Sequence, residues 1–222
     1  MADGHPPLSS KLATEFLGTF LFLLVISMVA GMDSATAPFA IGFALVSLVY
    51  LGGHVSGAHY NPAITLMFAL SRRCSWLEAG LYMTAQFLAG LLAFAFGAYL
   101  MGSTPGIQPN SAIGPLRPLI VEAVFTFLIG LVIINVATAK ANRGRDFSGI
   151  AIGAVVTSAI VAGGGLSGGA FNPAVGVGAT VSAALKNGMT WNHLWIYLVG
   201  PFAGGILAAV IYPLQNRESA AI

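Results

Sequence analysis

Two asparagines, Asn61 and Asn172, are the residues best suited to contact a solute, and each is followed directly by proline and alanine. Both lie in one repeated pattern, Ser-Gly-x-x-aromatic-Asn-Pro-Ala-aliphatic, which occupies residues 56–64 and 167–175. An asparagine amide donates hydrogen bonds through its N–H groups without carrying charge. Side chains of this type can bind the lone pair of a neutral solute, so they predict recognition rather than bond cleavage.

Two glutamates in apolar sequence, Glu15 and Glu122, are the other candidates for chemistry. Each begins a Glu-x-x-x-Thr-Phe pattern. Carboxylates inside a membrane are costly and often functional, so a proton relay is one interpretation. We favour the other interpretation, a structural brace, because the glutamates are duplicated and the repeated loops carry many N–H groups that need acceptors.

The remaining polar residues predict no enzyme, no metal site and no cofactor. His54 and His193 do not combine with Cys74, the single cysteine, or with carboxylates into a constellation of metal ligands or catalytic groups. The run Gly163–Gly169 lacks the Gly-Lys-Ser/Thr of a phosphate-binding loop. The net charge of +2 comes from scattered basic residues, which excludes nucleic acid as a partner.

The composition predicts a protein that lies in a lipid bilayer. Hydrophobic residues make up 57% of the chain and charged residues 7%, whereas soluble domains carry about a quarter charged residues. Six apolar segments are each long enough to cross ~30 Å of hydrocarbon. They are Leu12–Met32, Ala35–Gly53, Ala79–Met101, Pro118–Ala139, a segment that begins at Phe147 and continues past Val161, and Trp191–Leu214.

These segments form two repeated halves within one predicted channel domain, residues 1–222. Asn61 and Asn172 are 111 positions apart, half of the 222 residues, and the halves cover about 9–105 and 116–215. Since three spans per half is an odd number, the halves enter the membrane from opposite sides. The Gly- and Pro-containing stretch between the halves, residues 102–117, reads as a connecting loop.

Each Asn-Pro pair should begin a helix too short to cross the membrane. Asparagine is a favoured N-cap and proline suits the first helical position. About ten to thirteen residues then remain before a polar break, and ten residues cover only ~15 Å. The glycines before each pair are expected to form irregular backbone, which membranes tolerate only when it is buried or lines a wet cavity. These glycines are Gly52, Gly53, Gly57, Gly163, Gly164, Gly165, Gly168 and Gly169.

Opposite insertion would bring the two short helices together, N-terminus to N-terminus. Each N-terminus carries about half a positive charge, so the meeting point repels cations and accepts neutral solutes. The sequence thus predicts a passive pore. An ion-coupled secondary transporter is the alternative, because inverted repeats with broken helices also build those proteins. Against it, the spans hold no acidic residue beyond the two glutamates to carry a coupling ion.

Basic residues predict the orientation. With a cytoplasmic N-terminus the outer side keeps two of them, Arg117 and Lys186, and the excess faces the cytoplasm, as the positive-inside rule requires. Both termini are then cytoplasmic, in a plasma or inner membrane rather than an organelle membrane. The predicted inner residues are Lys11, Arg72, Arg73, Lys140, Arg143, Arg145 and Arg217.

The two Asn-Pro-Ala motifs and their spacing closely resemble those of the aquaporin (major intrinsic protein) family over essentially the whole chain. The resemblance implies an all-α membrane protein with six transmembrane helices and two re-entrant half-helices in an inverted repeat, assembled as a homotetramer. It also implies residue roles. The pore motifs are Asn61, Pro62, Ala63, Asn172, Pro173 and Ala174, the pore-lining loop residues are His59 and Gly168, and the braces are Glu15 and Glu122.

The selectivity ring departs from the family pattern. The family usually places an arginine three residues after the second asparagine, where this chain has Val175. Alignment outward from the motifs places Ile41, Ile160 and Gly169 at the other three ring positions. Such a ring should be wide and dry. The resemblance therefore implies a channel for water and small uncharged solutes, with glycerol, urea, ammonia and metalloid hydroxides such as arsenite as candidates.

Overall fold

The computed structural model describes residues 6–30, 32, 34–104, 107–142, 144, 146–188 and 191–216. This part of the chain contains eight α-helices and two short 3-10 turns, at Ser111–Ile113 and Lys140–Asn142. The helices are α1 (Leu8–Val29), α2 (Ala37–Ser56), α3 (Pro62–Leu70), α4 (Trp76–Met101), α5 (Leu116–Thr138), α6 (Ser148–Ser167), α7 (Pro173–Asn187) and α8 (Leu194–Gln215).

Six of these helices are long and apolar enough to cross a membrane, which confirms the six predicted spans. Their bounds differ from the prediction by a few residues. For example, α1 begins at Leu8 rather than Leu12, and α5 begins at Leu116, inside the predicted connecting loop. Only 28% to 39% of the apolar window of each helix is buried inside the protein. Most residues of each window therefore keep some exposed surface, part of which lines the cavities described below.

The short helices begin where the sequence predicts. Asn61 caps α3 and Asn172 caps α7, because each side-chain oxygen accepts a hydrogen bond at 2.9 Å from the backbone N–H two residues on. The helices contain 9 and 15 residues, against the predicted ten to thirteen. Neither short helix is long enough to cross the membrane.

The prediction of irregular backbone was wrong for five of the eight glycines. Helix α2 continues through Gly52 and Gly53, and α6 continues through residues 163–165. A helical glycine costs about 1 kcal/mol relative to alanine, but it also admits close neighbours. At Gly52 an added Cβ would lie 2.0 Å from the hydroxyl oxygen of Tyr60. Gly52 thus makes room for a neighbouring segment within a regular helix, and the irregular backbone of the two re-entrant turns is confined to residues 57–61 and 168–172.

The two halves pack in the same way around the short helices. Helix α1 packs on α4, α5 on α8, and α2 on α6. Each short helix lies against a glycine of a long one. A Cβ at Gly90 of α4 would lie 2.8 Å from the Ala174 carbonyl oxygen, and a Cβ at Gly205 of α8 would lie 2.5 Å from the Ala63 carbonyl oxygen. These contacts fix where the short helices stand.

We expect Gly90→Val to lower the melting temperature of the purified protein in detergent. The added side chain meets the backbone of α7, which cannot move aside cheaply, and overpacking of this kind costs about 1–3 kcal/mol. Gly80→Val is the matched control, since Gly80 lies on the same helix with nothing within 4 Å of an added Cβ. Equal melting temperatures for the two variants would contradict the docking contact.

Candidate pore

The two asparagines that cap the short helices also connect the two halves of the chain. The Asn61 amide nitrogen donates to the Phe171 carbonyl at 3.0 Å, and the Asn172 amide nitrogen donates to the Tyr60 carbonyl at 2.9 Å. An amide nitrogen carries two N–H groups. Within the described residues each asparagine therefore uses one N–H to cross between the halves, and the other N–H has no partner in the protein.

The carbonyls that accept these bonds belong to residues with an unusual backbone. Tyr60 and Phe171 both have φ of 48°, in the left-handed region that bulky residues rarely adopt. Such a conformation costs of order 1–3 kcal/mol and persists only where the surroundings hold it. Here it directs each carbonyl to the opposite asparagine and each N–H to a buried glutamate.

Glu15 holds the first re-entrant turn. Its carboxylate accepts hydrogen bonds from the Ser56 hydroxyl at 2.7 Å, the His59 N–H at 2.9 Å and the Tyr60 N–H at 2.8 Å. A fourth bond comes from the Gln86 side-chain amide, also at 2.8 Å. Gln86 was not identified from the sequence, because an isolated glutamine in a long apolar helix gives no sign of its partner.

Glu122 holds the second turn through three equivalent bonds. It accepts from the Ser167 hydroxyl at 2.7 Å, the Ala170 N–H at 3.0 Å and the Phe171 N–H at 2.6 Å. Both glutamates are 0% exposed, and neither lines the cavities described below. This geometry supports a brace and gives a proton relay no contact with the pore.

Two cavities lie on opposite sides of the asparagine pair, and we name them outer and inner after the orientation that the sequence predicts. The outer cavity, of about 650 Å³, extends from Met32 and Ser34 to Asn61 and Asn172. The inner cavity, of about 610 Å³, is lined by ionisable residues that include Lys11. Four residues line both cavities and form what we call the waist. They are Ala58, His59, Ile133 and Ile152.

The wall of the outer cavity is mainly aliphatic. None of the described residues that line it is an aspartate, glutamate, lysine or arginine. Its polar groups are the two asparagines and the backbone of the re-entrant turns, together with Ser34, His59, Tyr60 and Gln108. A wall of this kind binds ions poorly and leaves uncharged solutes as the species that can enter.

The structure brings three of the four predicted ring residues to this cavity. Ile41, Ile160 and Gly169 line it, and so does the predicted loop residue Gly168. Val175 does not, since it is 1% exposed and packs in the apolar core.

Ile107 and Gln108 line the outer cavity as well, and the sequence did not identify them. They belong to the segment between the halves and pack beside the second turn, where a Cβ at Gly168 would lie 2.8 Å from the Gln108 carbonyl oxygen. Ile107 is 7% exposed. An isoleucine within a polar, proline-containing loop was the only available signal.

We expect Glu122→Gln to lower both the melting temperature and the water permeability. One carboxylate oxygen becomes an NH₂ group, which leaves a buried donor without an acceptor at a cost of about 1–3 kcal/mol. Circular dichroism melting and stopped-flow swelling of proteoliposomes measure the two effects. The control is Glu78→Gln, which removes an ion pair to Lys11 from a side chain that is 21% exposed. A Glu122 variant as stable and as permeable as this control would refute the brace.

Comparison with known proteins agrees with this geometry. The profile of the Major intrinsic protein family matches residues 5–212. A putative aquaporin NIP4-1 of Arabidopsis thaliana is 34% identical over 219 residues, which are 93% of this chain and 75% of that protein. A glycerol uptake facilitator protein-like 6 of Lactiplantibacillus plantarum is 34% identical over 217 residues, 94% of this chain and 99% of that protein.

The fold is also found among solved structures. The aquaglyceroporin from Plasmodium falciparum aligns with a TM-score of 0.79 at 20% identity, over 93% of this chain and 96% of that chain. This likeness confirms the predicted all-α fold with six spans and two re-entrant half-helices. Because the family profile covers nearly the whole sequence, and the paired Asn-Pro-Ala turns meet as the pattern predicts, the chain belongs to the major intrinsic protein family.

Proposed function

We propose that the chain acts as a passive channel for water and small uncharged solutes, and that the paired half-helices exclude ions and protons. The observation that carries the proposal is the meeting of Asn61 and Asn172 at the wall of an uncharged cavity. Channels of this family are not enzymes. Nothing in the family membership supports the alternative of an ion-coupled transporter.

The exclusion of cations follows from the two helix N-termini. Helices α3 and α7 both begin at the asparagine pair, and each N-terminus is equivalent to about half a positive charge. A cation or a hydronium ion at this point is repelled by both. A water molecule or a hydroxylated solute instead presents a lone pair, which the free N–H of either asparagine can bind.

The outer cavity has room for solutes larger than water. Its volume of about 650 Å³ is many times the ~30 Å³ that one water molecule occupies in the liquid. Glycerol, urea, ammonia and arsenite remain the candidates. In support, one relative is named a glycerol uptake facilitator-like protein, and the aligned structure is an aquaglyceroporin. In this proposal Ile41, Ile160 and Gly169 form part of the outer wall, and Val175 lies in the apolar core.

The protein crosses the membrane several times, and we propose that both termini are cytoplasmic. In support, Lys11, Arg73 and Lys140 lie at the helix ends around the inner cavity, whereas Arg117 and Lys186 lie at the opposite ends. Three other residues in the orientation argument lie outside the described residues: Arg143, Arg145 and Arg217. The homotetramer and the plasma or inner membrane stay predictions, and the mass of the purified particle tests the first.

Proteoliposomes that contain the protein should shrink faster than empty vesicles when osmotic stress withdraws water, and should then reswell faster in glycerol or urea. Stopped-flow light scattering measures both steps. A gradient of protons or sodium should leave the solute rates unchanged, because a passive pore couples to neither. Rates equal to those of empty vesicles for water, glycerol and urea would contradict the channel. Solute uptake driven by a proton or sodium gradient would favour the transporter.

The orientation can be tested with single cysteines in a Cys74→Ser background. Burial raises the pKa of the Cys74 thiol to about 11, so it reacts slowly at neutral pH, and its removal leaves no other thiol. On intact cells an impermeant maleimide should label Ser111→Cys and should label Lys140→Cys only after the membrane is opened. The reverse pattern would place the termini outside.

A further inference from the structure

We propose that His59 is the residue that sets solute size selectivity in this channel, with Thr65 and Gln86 as the positioning residues that hold its ring. The inference rests on the proposed channel function and adds to it the place where solutes are sorted. That place is the waist on the inner side of the asparagine pair, and not the outer ring of aliphatic residues.

The first argument is the position of His59 between the cavities. The four waist residues line both the outer and the inner cavity, so a solute that passes from one to the other meets them. Ala58 is small, and Ile133 and Ile152 are aliphatic. His59 is the only one of the four with a ring and with polar side-chain atoms, so it contributes the bulkiest and the only polar side chain of the waist.

The second argument comes from comparing the two copies of the repeated turn. The residue two positions before each asparagine is His59 in the first copy and Ala170 in the second. The residue before that is Ala58 in the first copy and Gly169 in the second. At both positions the larger side chain belongs to the first copy, which lies toward the inner cavity. The repeat would otherwise make the two sides alike, so the added side-chain bulk is specific to the first copy.

The third argument is that the imidazole is fixed in place. Its ring stacks on Phe68 with centroids 4.5 Å apart and planes 7° apart, and it meets the Tyr82 ring edge-on at 5.3 Å. The Nδ1 atom lies 3.2 Å from the Thr65 hydroxyl. The His59 backbone N–H donates to Glu15. A ring held by these contacts acts as a rigid wall rather than a mobile side chain.

Gln86 connects this ring to the brace of the first turn. Its amide nitrogen lies 2.9 Å from the Thr65 hydroxyl and 2.8 Å from the Glu15 carboxylate. Thr65 and Gln86 are both 0% exposed and line neither cavity, so neither contacts a solute directly. Of the two, Thr65 is the one that contacts the His59 ring. Buried networks of this kind confer rigidity when every member is satisfied.

Among its described residues, the second half has no such network. Thr65 stands four residues after Asn61, and the residue four after Asn172 is Gly176. Tyr82 of α4 and Tyr197 of α8 occupy equivalent points, because their hydroxyls donate to the carbonyls of Ser56 and Ser167. Four residues after them stand Gln86 and Pro201. The polar side chains that fix His59 thus have no counterpart beside the outer cavity.

The experiment compares the ratio of glycerol to water permeability in proteoliposomes, measured by stopped-flow light scattering after subtraction of empty vesicles. The ratio does not depend on how much folded protein is reconstituted. His59→Ala should raise it roughly tenfold, the low end of what a steric contact of this size contributes in a discriminating site. His54→Ala, a matched change on the inner cavity away from the waist, should leave the ratio as in the wild type.

Ile160→Ala tests the outer ring directly and should change the ratio much less than His59→Ala. If Ile160→Ala raises the ratio and His59→Ala does not, size selection belongs to the outer ring and the inference is overturned. Wild-type water rates equal to those of empty vesicles would instead contradict the channel function itself. The two failures are therefore distinguishable.

Thr65→Val tests the positioning role, because valine keeps the shape of threonine and removes the hydroxyl next to Nδ1. We expect the ratio to move away from the wild-type value in Thr65→Val and to return to it in Thr65→Ser, which restores the hydroxyl. A purely structural role would alter stability and leave the ratio of conducting channels unchanged. A wild-type ratio in Thr65→Val would overturn the role of Thr65.

Discussion

The structure depends on the satisfaction of backbone hydrogen-bonding groups in a region without bulk water. Two turns leave helical geometry deep in the protein, at residues 57–61 and 168–172. Their N–H groups would be costly if left unpaired in a hydrocarbon environment. Glu15 and Glu122 each accept two of them at once, so one carboxylate satisfies these N–H groups in each turn.

The same constraint produces the asparagine pair where the two halves meet. Once the N–H groups of Tyr60 and Phe171 turn toward the glutamates, their carbonyls must find donors elsewhere, and each finds the asparagine of the opposite half. The asparagine oxygen is already used as a helix cap. A single amide thus ends a helix, joins the halves and presents a donor to the pore. The arrangement at the pore centre therefore follows from the need to give each backbone polar group a hydrogen-bond partner.

Local chemistry made much of this predictable from sequence. The helix starts at Asn61 and Asn172 follow from capping preferences alone, and the brace follows from the duplicated glutamates. The close approach of Tyr60 to Gly52 was not predictable, because local sequence preferences do not report a contact between two segments. The contact between Thr65 and Gln86 joins residues 21 positions apart, and such pairings leave no periodic signal.

The crossed bonds of the asparagines also bear on how the protein is made. The Asn61 amide and the Phe171 carbonyl are 110 residues apart, and the reciprocal pair is 112 residues apart. At synthesis rates of about 5–20 residues per second, the first turn waits roughly 5–20 s before its partner exists. During that interval Asn61 can cap α3 but cannot be tied to the second half. The centre of the pore is therefore completed only after both halves have been inserted, and any assembly factor that acts on it must act late.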